Sequence, residues 1–476
     1  MKSDLRSERL LAGFSLLIAL LVGSYLRLRN LTVDALWLDE VFSVATSHPD
    51  NSFLEVYRRT LIDVHPPLYQ LVLWVFYKVF GFGEMVGRYL SVVFGVLLIP
   101  VAYLSGRQLF NGTVGLFAAW LVAINFYLIT YSQETRSYEL LALLTMVSFF
   151  MFVKAMRTVA VLPVAGYSLV AALVVNTHYF GFLVVASQAL LVVCKWFEAS
   201  FDKRIFYRFG MAAIFIIISL SPHVSFVLEN FNRQGFWVPR PNDLFFIELF
   251  YLYFGSMPLT VIFAALLLTV LIRLGGDERN CEVLRLFVFW FVVCAMLPYI
   301  RSLYVQPVLT MRSLIILLPG LLVLLAYGLS SIRDGSIRAA VAVVVLCFSM
   351  TPLYTDYKPE STFENQLKPV SQMRDLIQEL INEQIEAPLY SNQYIEFGQY
   401  FKLLGSPIEI GREKDLLNDL KSSRPPAVFY LLASRGIPLP DDVLLKRHNV
   451  VMVAERRKGD SLAVEYRTAP DNSVKQ

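Results

Sequence analysis

Eleven apolar runs, each near the roughly 20 residues that a helix needs to cross a bilayer, recur through the first 353 residues and leave this chain very few folds. The first ends near Tyr25, and the others lie at about 88–106, 113–130, 138–155, 160–176, 179–196, 209–228, 257–273, 284–300, 312–330 and 337–353. In lipid every backbone N–H and C=O must find a partner inside the protein, so only helices and closed barrels span, and runs of this length are helices. The expected fold is a polytopic α-helical membrane protein of about 11 transmembrane helices. Composition agrees, with 56% hydrophobic and 17% charged residues, against about half and about a quarter in soluble domains. A wholly soluble enzyme, a disordered tail protein and a domain on a single anchor are excluded.

Residues 354–476 differ in kind, carrying 16 Lys+Arg and 18 Asp+Glu. In them KPVSQMRDLIQELINEQ (368–384) has apolar positions at helical spacing, while APLYSN, AVFYLLAS and NVVMVAE are short apolar runs bounded by turn formers. They predict a small soluble α/β domain behind a transmembrane domain at 1–353. No Gly-rich phosphate loop is present in the tail. The net charge of +4 comes without a dense basic cluster, so nucleic acid is not an expected partner. Cys194, Cys281, Cys294 and Cys347 sit in or beside apolar runs without a CxxC, which points to neither a disulfide framework nor a zinc site.

Lys2, Arg6 and Arg9 precede the first apolar run as in a signal peptide, but no small-residue cleavage site follows, so an uncleaved first helix with a cytoplasmic N-terminus is expected. The stretch 66–82 (PPLYQLVLWVFYKVFGF) is short, opens on two prolines and carries Lys78. Counting it as a crossing would put the basic short loops outside. Leaving it out puts Arg107, Lys154 and Arg157, Lys195 to Arg208, Arg273 to Arg285, and Arg333 and Arg338 inside, as the positive-inside rule requires. Residues 66–82 are therefore expected to lie as an amphipathic helix in the outer interface, within a long external loop at 29–87, with the tail also external.

On this map polar residues collect on the outer face. Trp37-Leu38-Asp39-Glu40 follows the first helix, His65-Pro66-Pro67 precedes the interfacial helix, and Ser132-Gln133-Glu134-Thr135-Arg136 forms the second external loop. Asn176-Thr177-His178-Tyr179 forms the third, His223 follows Pro222, and Arg301 and Arg312 bracket the last. A single interfacial charge is commonly just solvated or paired, and several on one face point to a site. A carboxylate pair beside a tryptophan can supply a general base, and a rim arginine can hold a phosphate through paired N–H donors.

The same segments carry a resemblance. WLDE, HPPLYQLVLWVF, RYLSVVFGVLLIPVAYLSGRQLF, SQETRSYELLALL, NTHYFGFLV and PVLTMRSLIILLPGLLVLLAYGL, in this order over residues 1–353, resemble bacterial family-39-type glycosyltransferases. These belong to the GT-C superfamily, with protein O-mannosyltransferases and lipid A aminoarabinose transferases. The resemblance implies a GT-C fold and transfer of a monosaccharide from a polyprenyl-phosphate donor of the undecaprenyl type to a glycan, lipid or protein acceptor. It implies a multi-pass protein of the bacterial cytoplasmic (inner) membrane, with the active site and tail facing the periplasm. By the same resemblance Asp39, with Glu40, maps onto the family's acidic pair, whose aspartate takes the acceptor's proton, and Glu134 onto the second acidic position. His65 maps onto the HPP motif and Arg312 onto the arginine that opens the penultimate span. Arg136, His178, Tyr179 and Arg301 join them as candidate substrate-binding residues. Ser313 stands where many relatives have tyrosine after that arginine.

The chemistry is self-consistent. A polyprenyl phosphate is a good leaving group, so one base with cationic groups suffices, and direct displacement inverts the anomeric centre without a second carboxylate as nucleophile. The rival class is a transporter or flippase of lipid-linked sugars, which would place ionisable residues or broken helices near the midplane and repeat its two halves. A third reading is a non-catalytic binder, which has no need of a base. The sequence establishes no cofactor; a divalent metal is the one candidate, with weak ligands in His65, His178, His223 and Glu134, none at close ligand spacing. In the opposite reading, His178 is an interfacial ring beside Tyr179 and His65 a helix-entry residue fixed by two prolines.

The orientation has a direct check. Cysteines placed at 108–112 should be shielded from a membrane-impermeant label in intact cells and one at 400 should react, and labelling of 108–112 from outside would overturn the assignment.

Overall fold

Every apolar run predicted to cross is helical, though not every one is a single straight rod. The computed structural model describes residues 2–62, 65–158, 160–198, 201–232, 238–275, 278–354, 371–422, 424–439 and 448–468. In chain order the first helices are α1 (Lys2–Leu28), α2 (Leu38–Thr46), α3 (Phe53–Thr60), α4 (Leu68–Phe80), α5 (Glu84–Leu109), α6 (Gly112–Ile124) and α7 (Phe126–Ser132). They are followed by α8 (Tyr138–Met156), α9 (Val161–Thr177), α10 (Phe180–Trp196), α11 (Lys203–Leu220), α12 (Val224–Asn232) and α13 (Phe245–Phe254). The membrane part closes with α14 (Met257–Leu274), α15 (Glu278–Tyr304), a 3-10 segment (Arg312–Leu317) that leads into α16 (Leu318–Ser330), and α17 (Gly335–Tyr354).

Among the described residues eight helical stretches are long and apolar enough to cross a membrane, and the pair α6–α7, bent by 56°, makes a ninth. With 17 residues each, α9 and α10 are shorter apolar helices, about 25 Å long at 1.5 Å per residue, so nine of the eleven expected spans are long and apolar enough by themselves. By contrast α4 has 13 residues, about 20 Å, short of the ~30 Å hydrocarbon core. A second short apolar helix, α13, lies in what the sequence presented as a loop between 228 and 257.

The bend between α6 and α7 organises its surroundings. Asn125 sits extended at the break, its Oδ1 accepting from Leu128 N–H at 2.9 Å to cap α7, and its Nδ2 donating to Tyr253 O at 2.8 Å. A helix end leaves its last carbonyls without intrahelical partners. Here a fully buried Arg27 from the end of α1 takes them, donating from Nη2 to Val122 O and from Nη1 to Ala123 O, both at 3.0 Å. Its Nε donates to Ser132 Oγ at 3.1 Å, and the buried carboxylate of Glu139 on α8 lies in the same pocket. Room for this cluster comes from Gly95 on α5, where a Cβ would stand 2.6 Å from Arg27 Nε and 2.9 Å from Glu139 Oε1. Two turns earlier Gly87 performs the same service for Thr135, whose Oγ1 would be 2.9 Å from a Cβ.

The chain divides into two compact units, one of Met1–Arg29, Thr46–Gly81 and Gly87–Gln366, the other of Asn30–Ala45, Phe82–Val86 and Leu367–Gln476. The second unit is built on a five-stranded sheet of order β2-β1-β3-β5-β4, with β1 (Leu389–Ser391), β2 (Ile410–Arg412), β3 (Val428–Ala433), β4 (Val450–Lys458) and β5 (Ser461–Thr468). β1 runs parallel to β2 and β3, and β5 antiparallel to β3 and β4. Side chains alternate across a strand. Tyr430 and Leu432 of β3 thus face a core shared with α18 (Met373–Asn382) and α19 (Tyr394–Leu403), while Phe429 and Leu431 face α20 (Glu413–Leu420) on the other side. The helix predicted at 368–384 is α18, its first three residues lying outside the described ones, and the three predicted strands are β1, β3 and β4. The first core also contains Ala35, Leu36, Val41 and Val44, residues from just after the first transmembrane helix.

Gly95→Ala should lower the thermal midpoint of the detergent-solubilised protein, since overpacking typically costs about 1–3 kcal/mol. Gly13→Ala, at a position with open space around it, should not.

Candidate active site

The loop Ser132–Arg136 is held from both sides. The side-chain amide of Gln133 donates to the carbonyls of Leu26, Arg27 and Arg29 at 3.4, 3.1 and 2.7 Å, capping the end of α1. Ser132 is tied to Arg27, and Thr135 is packed against Gly87. Between these ties Glu134 and Arg136 are both buried, and Arg136 N–H donates to Glu134 O at 2.8 Å.

Around this loop lies an aromatic belt that collects several of the predicted residues. Tyr131 of α7 is within electrostatic reach of both Glu134 and Arg312, and its ring is 5.3 Å from that of Tyr138. The Arg312 guanidinium lies 5.7 Å over the Tyr138 ring, within reach of a cation–π contact. His178 stands 5.9 Å from Tyr138 on another side, and His65 4.8 Å from His178. The geometry of His178 follows from its place between two helices: it ends α9 in an extended conformation, and its Nδ1 accepts Phe180 N–H at 3.1 Å at the start of α10. In the neutral ring that leaves the proton on Nε2, so His178 presents a donor. His65 precedes Pro66 and Pro67, and Pro67 is the N-cap of α4. Behind the belt Tyr127 and Tyr253 stack edge-on at 5.1 Å, and Tyr253 donates to Leu314 O at 2.6 Å, fixing the segment that follows Arg312. Ser313 shares a 2.6 Å hydrogen bond with Thr310, which gives it a turn-forming role.

Other predicted residues lie elsewhere. Tyr179 packs on Phe182 and Phe226. Arg301 is in the last turn of α15, where its carbonyl accepts the N–H groups of Val305 and Gln306, both at 2.9 Å. His223 is buried with its ring 6.3 Å from that of Tyr57, whose hydroxyl donates to Pro222 O at 2.9 Å. Burial pushes the Tyr57 phenol above its ordinary range, which keeps it a donor. Among the described residues no three His, Cys, Asp or Glu side chains are grouped to hold a metal ion.

Asp39 and Glu40 belong to the second unit and lie in the first turn of α2, at the positive end of that helix's dipole. Glu40 is fully buried and accepts Trp37 N–H at 3.4 Å, the back half of a capping box. Asp39 is half-buried. Its carbonyl accepts from Ser43 Oγ at 3.0 Å. Sequence reasoning missed Arg27, Glu139 and the tyrosine belt. The local signals were an arginine just past the end of the first apolar run and tyrosines at 127 and 131, one helical turn apart.

With this geometry in place, comparison with known proteins defines the class of the fold. Residues 64–226 match the family described as dolichyl-phosphate-mannose-protein mannosyltransferase. A search of curated proteins finds no match. Among solved structures, ArnT from Cupriavidus metallidurans in the apo state covers 96% of this chain and 98% of its own, with TM-score 0.63 and 14% identity. The same protein bound to undecaprenyl phosphate covers 94% and 97%, with TM-score 0.59 and 13% identity. The oligosaccharyltransferase AglB from Archaeoglobus fulgidus, in complex with an inhibitory peptide and a dolichol-phosphate, covers 86% of this chain and 65% of its own, with TM-score 0.52 and 13% identity. The fold is the GT-C fold of membrane glycosyltransferases.

Glu40→Ala should lower the unfolding midpoint by the equivalent of about 1 kcal/mol, the usual worth of a cap. Glu40→Gln, which still offers an acceptor to Trp37, should cost less. Thermal unfolding of both variants in one detergent checks the order.

Proposed function

We propose that this protein is an inverting glycosyltransferase that moves a monosaccharide from a polyprenyl-phosphate donor to an acceptor at the periplasmic face of a bacterial inner membrane. The observation that carries the reading is Arg312. It enters a 3-10 turn that leads into a span, its guanidinium stacked on Tyr138 and flanked through that ring by His178 and His65. A lipid-borne phosphate must sit where its chain stays in the bilayer, and a guanidinium offers it two parallel hydrogen bonds. The near full-length likeness to a structure that holds undecaprenyl phosphate supports the same donor class.

In this mechanism Asp39 accepts the proton of the acceptor hydroxyl as its oxygen attacks the anomeric carbon. The bond from that carbon to the phosphate oxygen breaks, and the electron pair leaves with the polyprenyl phosphate. Arg312 stabilises the growing negative charge there, with His178 Nε2–H as a further donor. One displacement inverts the centre, so no second carboxylate acts as nucleophile. Glu134, fixed beside Tyr131, serves in orienting substrate.

Purified protein incubated with undecaprenyl-phosphate-linked hexoses, pentoses and aminoarabinose, with release of undecaprenyl phosphate as readout, tests the activity; no turnover with any donor overturns it. Asp39→Asn should lower turnover about 10²–10⁴-fold with donor binding kept. Arg312→Ala should weaken donor binding about tenfold to a hundredfold, from the roughly 1.5–3 kcal/mol of a charge-assisted contact, and lysine should restore only part. Unchanged donor affinity with lower thermal stability would make Arg312 a helix anchor instead.

A further inference from the structure

We propose that the C-terminal α/β domain positions Asp39, through Arg435, Tyr400 and Ser371. This rests on the reading of Asp39 as the base. The five residues Thr32 to Leu36, which lead from the first transmembrane helix to α2, are gripped almost atom by atom. Arg374 Nη1 donates to Thr32 O at 3.0 Å. The Asp34 carboxylate accepts from Ser371 N–H at 2.8 Å and from Arg435 Nη2 at 3.1 Å. Ala35 N–H donates to Ser371 O at 2.9 Å, and Ala35 O accepts from Arg435 Nη2 at 2.7 Å. Leu36 N–H donates to the Tyr400 hydroxyl, which donates in turn to Glu84 Oε1 at 3.2 Å. Glu84 also pairs with Arg374 at 2.6 Å, closing the ring of contacts.

The helix that follows is anchored by its other face. Val41 and Val44 of α2 are buried in the same core as Leu376, Ile377 and Phe397. At 100° per residue Asp39 stands about 200° and 140° around the helix from Val41 and Val44, so it points away from the core that holds its helix. An aspartate fixed on both flanks with its carboxylate turned outward is a preorganised base. Freeing the segment Thr32–Leu36 would misplace it, and a misplacement of about 1 Å costs on the order of a hundredfold in rate.

The test uses the full-length protein and the best donor of the panel above. Arg435→Ala should lower kcat about tenfold to a hundredfold, leave the donor KM within about twofold, and speed hydrogen exchange in peptides covering 32–44. Arg435→Lys should recover part of kcat. Tyr400→Phe keeps the ring in the core and removes the acceptor of Leu36 N–H together with the hydroxyl's bond to Glu84, both parts of the same grip, and should act in the same direction a few-fold. Tyr390→Phe breaks a bond of like strength to Asp419 in the core on the opposite face of the sheet and should leave kcat unchanged. If Arg435→Ala does not fold, Tyr400→Phe and Arg435→Lys carry the test. Wild-type kcat in these variants, or an equal loss in Tyr390→Phe, overturns the proposal. Asp39→Asn run in parallel separates the failures: if it is inactive while they keep kcat, only the positioning role falls, and if it stays active both readings fall.

Discussion

The membrane unit is organised by one buried guanidinium. A charge taken into an apolar interior costs several kcal/mol unless its donors are answered, and removing one partner of such a set typically costs about 3–5 kcal/mol. Arg27 is answered by the carbonyls that the break at Asn125 releases, by Ser132 and by Glu139. The break and the arginine therefore need each other. Without the break the carbonyls of Val122 and Ala123 would be occupied within one continuous helix, and without Arg27 they would be buried acceptors facing apolar side chains. What this lock fixes is the start of the loop Ser132–Arg136, and hence Glu134.

The sequence displayed the spans because hydropathy over twenty residues is a local property. The break inside 113–130 escaped notice for the same reason: Asn125 is one polar residue in an apolar run, and only the partner at Tyr253 shows that it ends a helix. The role of Arg27 has no local signal, because its partners lie about a hundred residues on. The site motifs were legible in part. His65, His178 and Arg312 come together around Tyr138, while His223 and Tyr179 turn to aromatic packing, a choice made by tertiary contacts. In the tail β1, β3 and β4 were visible as apolar runs. The three-residue β2 and the mixed SLAVEYRT of β5 are defined by their neighbours in the sheet.

The largest gap between sequence and structure concerns Asn30–Ala45. Nothing local distinguishes ALWLDEVFSVA from an external loop with an amphipathic turn. Its partners begin more than 300 residues later, and Ala35, Leu36, Val41 and Val44 are core residues only once Met373–Phe401 is present. Contacts of such separation carry no periodic signal, because the apolar positions that make them are too few to form a pattern of their own.

That separation also sets an order of assembly. The residues that hold Glu134, from Leu26 to Glu139, are within the first third of the chain and can meet as soon as the first helices associate. Those that hold the Asp39 segment include Ser371, Tyr400 and Arg435, so that segment cannot be set until the last third has been made and folded. If Asp39 is the base, the group that removes the acceptor's proton is the last part of the site to be fixed. A nascent or incompletely folded chain then holds Glu134 while the segment that carries Asp39 still lacks its contacts with Ser371, Tyr400 and Arg435.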